Sequence, residues 1–393
     1  MKSFYTSLQP GIVRIEHHPS WLAVDVIQGC PASCEYCFLN TQSLTASIPR
    51  YTADPSNVVE ELDKHFRRIQ DKTGINAEEI IPICFGNNTD LLLTKLGQES
   101  LLEQIGSVRH RFSKAILIVV TKGKLNKDMA KRLVDCAGTM VIVFSISFLG
   151  QRYEQGAPHW HERLKGMQIA AGTEGLIPVH YWRPATSVST PNIETAAKQI
   201  QMLKDAGSIA SSLIGLAIGP GLGSYYRDSV ERTSELRSIM SYYRLLGLKS
   251  SVVTTGNPEV KDWIINEAYG AKYPIFVNTS CMISYASKQP DYSAAYSLPR
   301  RYKRCHPSAC PPIQRYICYR CWESSKTPSD KVQNVISRYL GISPKKIVGN
   351  APVVLETPIK QEDLYCLQML VLRSIEPTKI VRNMAWLIKH NGK

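Results

Sequence analysis

An α/β chain folded as a partial or closed (β/α) barrel is what this sequence predicts, on three observations. Short apolar runs alternate with stretches of helical period, and the links between them are short. The alternation also continues over about 260 residues, the size of a barrel domain.

The elements follow in order. Residues 21–27 (WLAVDVI), 79–85 (EIIPICF), 115–121 (AILIVVT), 140–147 (MVIVFSIS), 177–182 (IPVHYW), 212–219 (SLIGLAIG), 251–255 (SVVTT) and 274–280 (PIFVNTS) read as strands. Helical period fills 55–72, entered through Pro55, then 97–110, 125–136, 162–175, 191–206, about 228–246, and 258–268. Period alone does not separate an open doubly wound sheet from a barrel; the strand number leans toward the barrel. Either way, ligands gather at the C-terminal ends of the strands. The expected division is a barrel over 1–281, a cysteine-rich segment over 282–328 without clear period, and a small helical appendage over 329–393.

Composition bounds the partners. The chain has 393 residues, 44% hydrophobic and 20% charged, as a globular protein does. No apolar run reaches membrane length, and the first twenty residues lack the apolar centre of a signal peptide. The expectation is a cytoplasmic protein with no membrane partner. Lys and Arg number 47 against 33 Asp and Glu, a net charge of +14. That excess favours anionic partners: an anionic small molecule, a nucleotide, or nucleic acid.

Eleven cysteines in a reducing compartment read as metal ligands or reactive thiols rather than disulfides. Cys30, Cys34 and Cys37 lie in CPASCEYCF directly after the first strand. Cys281, Cys305, Cys310, Cys318 and Cys321 lie late. Cys84, Cys136 and Cys366 sit in apolar surroundings, where core packing is expected.

A structural zinc site closes with four protein ligands. A [4Fe–4S] cluster held by three thiolates leaves one iron open to a cofactor or substrate. The Cys-x3-Cys-x2-Cys spacing, with Tyr36 before the last cysteine and a strand before the first, resembles the signature loop of the radical S-adenosylmethionine (radical SAM) enzymes. The NNTD, VTKGKL and RPA segments are most similar to the spore photoproduct lyase-like branch. The resemblance spans about residues 20–281 and implies a radical SAM (β/α) barrel whose cluster reductively cleaves S-adenosylmethionine. The resulting 5′-deoxyadenosyl radical would abstract hydrogen from the substrate. It also implies an electron donor such as a flavodoxin or ferredoxin.

The same resemblance places cofactor contacts. Gly86, Asn87, Asn88 and Asp90, in FGNNTD, stand where the commoner pattern is Gly-Gly-Glu and meets the methionine amino group. Lys122, after Thr121, and the alternating Ser145 and Ser147 face the cofactor from the next two strand ends. Arg163 is a candidate partner for its carboxylate. His180, Trp182 and Arg183 are candidates for substrate contact. No catalytic side chain is assigned, and the histidines make no hydrolytic constellation.

Cys305, Cys310, Cys318 and Cys321, with Cys281 as a fifth candidate, suit a second [4Fe–4S] cluster or zinc. Arg300, Arg301, Lys303, Arg304, Arg315 and Arg320 are interleaved there with Tyr302, Tyr316, Tyr319 and Trp322, a pattern suited to bases and phosphates. The alternative to an enzyme is a nucleic-acid-binding protein whose metal sites are structural or redox-sensing.

Overall fold

The computed structural model describes residues 11–37, 39, 47–218, 253–255, 258–292, 310–323, 330–348, 353–372 and 375–381. Strands β1 (Arg14–His17), β2 (Leu22–Asp25), β3 (Ile27–Gln28) and β4 (Arg50–Tyr51) open the chain. Then come α1 (Val58–Thr73), β5 (Ile83–Phe85), α2 (Lys95–Arg111), β6 (Leu117–Thr121), α3 (Lys127–Ala137) and β7 (Met140–Ser145). They are followed by α4 (Trp160–Ala171), β8 (Leu176–Trp182), α5 (Ile193–Asp205) and β9 (Ser211–Leu213).

Local chemistry sets these boundaries. Val58, Leu62, Phe66 and Ile69 bury one stripe of α1, and Gly74 ends it in the left-handed region at φ 73°. Thr94, Asn126 and Asn192 accept from free backbone N–H groups at the starts of α2, α3 and α5. Every residue of β2, β5 and β7 is buried, as expected of parallel strands covered on both faces.

One eight-stranded sheet carries the fold, in the order β1-β2-β5-β6-β7-β8-β9-β12, where β12 is Ile275–Phe276. From β2 to β12 every pairing is parallel, and only the edge strand β1 runs against its neighbour. Spatial order follows chain order without a reversal. That separates the two architectures the sequence leaves open. A doubly wound sheet reverses at a switch point, whereas this sheet is wound in one direction, as in a barrel. Among the described residues β12 does not pair with β1, so the barrel is partial.

Several expectations change. Residues 212–219 do not form one strand: β9 stays in the sheet, and β10 (Leu216–Ile218) pairs with β11 (Val253–Thr255) in a separate ribbon. The helix expected at 228–246 lies outside the described residues. After α6 (Pro258–Gly270), β12 is two residues long, and α7 (Thr279–Ser287) begins where the strand was expected to continue. Cys281 therefore occupies the first turn of a helix rather than a strand end, and the expected boundary at 281 falls inside α7. Beyond it, α8 (Pro312–Glu323) is helical despite its mixed composition.

The expected helical appendage is an α/β unit. Helices α9 (Asp330–Leu340) and α10 (Gln361–Val371) accompany a three-stranded sheet of β13 (Ile347–Val348), β14 (Val353–Lys360) and β15 (Ile375–Val381). In β14 buried and exposed residues alternate along most of its length, the period-2 pattern of a half-covered strand. Cys366, Met369 and Leu370 join the main core, and α10 packs against β1 as α9 does against α1. Among the described residues no helix is long and apolar enough to cross a membrane.

Candidate functional site

The cysteine loop leaves β3 at the C-terminal edge of the sheet. Gly29 adopts φ 104°, and a Cβ there would stand 2.8 Å from the Ile48 carbonyl oxygen, so only glycine turns the chain at this point. The Thr89 hydroxyl donates to the Gly29 carbonyl, tying the loop's start to the segment after β5. Cys30 and Cys34 are buried, Cys37 is half-buried, and the three pack in one small cluster with Ala32, Tyr36, Leu39, Leu93 and Ala157. Burial pushes the Cys30 thiol up to about 12, with Asp90 nearby adding to the effect. Burial likewise raises the Cys34 thiol, while the Lys122 ammonium pulls it down.

Beside the loop stands a network built on Glu154, which the sequence reading did not select. Its carboxylate is 1% exposed and takes four donors. On Oε1 it accepts the Tyr36 hydroxyl, Lys122 Nζ at 2.8 Å and Ser147 Oγ at 2.9 Å; on Oε2 it accepts Arg163 Nη2. Burial alone would raise this carboxyl, but the Lys122 and Arg163 cations hold it down at about 2, so it is ionised at neutral pH. Lys122 Nζ also donates to Tyr36 Oη at 2.7 Å and Ser145 Oγ at 3.1 Å, which uses all three of its protons. Arg163 is buried rather than a surface residue of α4. Its Nε and Nη1 reach the Pro158 and Ser145 carbonyl oxygens at 2.8 and 2.9 Å.

Thus Tyr36, Lys122, Ser145, Ser147 and Arg163, expected near a cofactor, do meet. The polar segment after β5 is turned elsewhere. Gly86 makes the turn at φ 73°. Asn87 accepts from Trp21 Nε1 at 3.3 Å and pairs with His18 Nε2 at 3.2 Å. Asn88 donates through its backbone N–H and its side chain to the Asp25 carboxylate, at 3.1 and 3.0 Å. Burial still raises Asp25 to about 6, against those two hydrogen bonds. Asp90 fastens the next strand end, accepting from Thr121 Oγ1 at 2.7 Å and the Lys122 backbone N–H at 2.5 Å.

His180 is not placed for substrate. It is fully buried, with Nδ1 2.8 Å from Ser211 Oγ and Nε2 2.9 Å from the Ile146 carbonyl oxygen, and burial lowers it to about 3. Trp182 is fully buried beside Phe148, and the Arg183 guanidinium lies over the Tyr181 ring. Cys318 and Cys321 share the inward face of α8, and Cys310 precedes that helix. Gln314 Nε2 donates to the Gln289 carbonyl oxygen at 2.9 Å and lies 3.3 Å from Cys318 Sγ. Cys305 and the basic residues 300–304 lie outside the described residues.

Three thiols in one apolar pocket, flanked by cations, are a donor set suited to iron–sulfur binding. Among the described residues no three His, Cys, Asp or Glu side chains are grouped to hold a single ion.

Fold and site together define a singly wound α/β chain with a three-thiol loop at the C-terminal edge of its sheet. No family model matches the chain, and no curated protein does. In structure it is similar to spore photoproduct lyase and to SuiB of Streptococcus suis. One lyase mutant, with bound AdoMet and dinucleoside spore photoproduct, is 18% identical over 54% of this chain and 62% of its own, with a TM-score of 0.43. Another lyase mutant is 16% identical over 63% and 73%, with a TM-score of 0.47. SuiB bound to S-adenosylmethionine is 12% identical over 61% and 49%, with a TM-score of 0.35. The chain therefore spans about three fifths of the first lyase structure's length. At that level of likeness the residues of the site carry the functional argument.

Proposed function

We propose that the chain is a radical SAM enzyme. The observation that carries this reading is the clustering of Cys30, Cys34 and Cys37 in one loop at the C-terminal edge of a singly wound parallel sheet, beside the Tyr36–Lys122–Glu154 network. The three thiolates would hold a [4Fe–4S] cluster, and a reducing cytosol is the compartment that keeps them available to iron. When bound, that cluster supplies one-electron reductive cleavage of S-adenosylmethionine, with the electron delivered by a flavodoxin- or ferredoxin-like donor. Lys122 and Ser145 would border the cofactor at the strand ends, while Ser147, fully buried, supports Glu154. Arg163 acts from behind them, holding Glu154. Asn88 and Asp90 shape the turn that Gly86 begins, and the pocket's burial shields reactive species from water.

The test is reductive cleavage. Anaerobically reconstituted protein, given dithionite and S-adenosylmethionine, is expected to release methionine and 5′-deoxyadenosine, resolved by chromatography. A fully loaded protein that releases neither would falsify the reading.

The late cysteines are proposed to hold a second [4Fe–4S] cluster through Cys310, Cys318, Cys321 and either Cys305 or Cys281, with zinc as the competing occupant. The substrate is proposed to be anionic and nucleotide-like. The outward face of α8 supports this: Ile313, Tyr316 and Tyr319 are 59%, 59% and 48% exposed, with Arg315 and Arg320 exposed beside them. Aromatic faces stack on bases, and guanidinium groups pair with phosphates. Binding to a non-specific oligonucleotide measures which size of anion this surface serves. A steep loss of affinity with rising salt points to a polymer. Negligible affinity at physiological salt points to a free nucleotide.

A further inference from the structure

The cysteine loop is fastened to the segment joining β7 to α4 by contacts that need no cofactor. The Glu35 backbone N–H donates to the Tyr153 carbonyl oxygen at 2.9 Å, and that of Gly156 donates to the Ala32 carbonyl oxygen at 3.0 Å. Cys34 and Glu154 form an antiparallel bridge between the two segments. The side-chain fastening is the Tyr36 hydroxyl on the Glu154 carboxylate.

The two carboxylate oxygens divide the work. Oε2 faces Arg163, which is independently anchored by the Pro158 and Ser145 carbonyl oxygens. Oε1 faces the loop and gathers Tyr36, Lys122 and Ser147. Loss of the carboxylate leaves α4 tethered through Arg163, and its effect falls on the loop.

We propose that Glu154 is the positioning residue of the cysteine loop. Through Tyr36 and Lys122 its carboxylate fixes Cys34 and Cys37 in place before iron arrives. The inference rests on the radical SAM reading for what the loop holds; the fixing itself belongs to the folded chain. Groups that orient metal ligands from behind typically change metal affinity by about 10–100-fold when removed.

The experiment compares Glu154→Gln, Tyr36→Phe and the double variant, with Glu99→Gln as control because it breaks only a surface pair with Arg132. Apo-protein is alkylated, and the labelling rates of Cys34 and Cys37 are read by mass spectrometry alongside the thermal midpoint. The same proteins are then loaded anaerobically with ferrous iron and sulfide. Each single variant is expected to label faster and to bind iron about 10–100-fold more weakly. Because the two residues share one contact, the double variant should do no worse than the more affected single.

Tyr36→Phe changes no charge, so it decides the matter if Glu154→Gln fails to fold. Wild-type labelling and loading in Tyr36→Phe, or effects that add in the double variant, overturn the proposal and leave Glu154 as a stabilising residue only. Wild-type protein that takes up no iron overturns the radical SAM reading instead, and the labelling arm then judges the positioning role by itself.

Discussion

Replacing Cys30, Cys34 and Cys37 together by alanine is expected to remove about four irons and four sulfides per chain, the content of one cubane. It should also abolish reductive cleavage of S-adenosylmethionine. The thiols are short side chains in a small apolar cluster of their own, separate from the main core under the sheet. Alanine there costs modest packing, so the variant should fold, and circular dichroism should match wild type. Iron retained by the variant would belong to the late cysteines as a second cluster; zinc retained would make them a structural clip. A wild-type protein without iron–sulfur, or a variant that loses none, would end the radical SAM reading.

The second large effect belongs to a residue with no functional group. A Cβ on Gly156 would stand 1.8 Å from the Pro31 carbonyl oxygen and 2.9 Å from the carbonyl carbons of Pro31 and Ala32. All three are backbone atoms of the cysteine loop, so no side chain can swing aside. Gly156→Ala must push the loop away from the β7–α4 segment and break the Gly156–Ala32 hydrogen bond. A stability loss of at least about 3 kcal/mol is expected, at the upper end of overpacking effects, read from the urea midpoint. Gly172→Ala is the comparison. Its Cβ would meet only ordinary contacts, 3.5 Å from the Gln168 and 3.8 Å from the Ile169 carbonyl oxygens, and a change within about 1 kcal/mol is expected. Equal midpoints for the two variants would show that the loop is not held at this distance.

The strands and the gathering of Cys30, Cys34 and Cys37 in one loop were legible because their signals are local. Continuous apolar runs bounded by polar turns placed strands at 115–121 and 140–147, where β6 (Leu117–Thr121) and β7 (Met140–Ser145) run. The CPASCEYCF spacing needed no knowledge of the rest of the chain. Glu154 was missed because its importance is not local. In GQRYEQGAP it looks like any loop acid, and only the convergence of β6, β7 and α4 gives it partners. A signal was available: two cations, Lys122 at a strand end and Arg163 early in a following helix, were both expected at the site. Asn88 and Asp90 were singled out for standing where the resembled family has its Gly-Gly-Glu stretch, and they bind Asp25 and the end of β6. Strand ends in a parallel sheet also need side chains to satisfy their backbone. The C-terminal unit was read as helical because α9 and α10 have clear period, while VVLETPIK carries a strand's alternation interrupted by proline.

The separation between Tyr36 and Glu154 bears on the order of events during synthesis. These residues are 118 positions apart, and the cysteine loop precedes every parallel crossover of the sheet. A chain emerging from the ribosome presents its three thiols well before the segment that orders them. At about 5–20 residues per second that interval is roughly 6–24 s. During it the thiols are exposed to oxidants and to any passing metal. If the loop holds a cluster as proposed, its assembly would be productive only once residue 156 has been made and has folded back onto the loop.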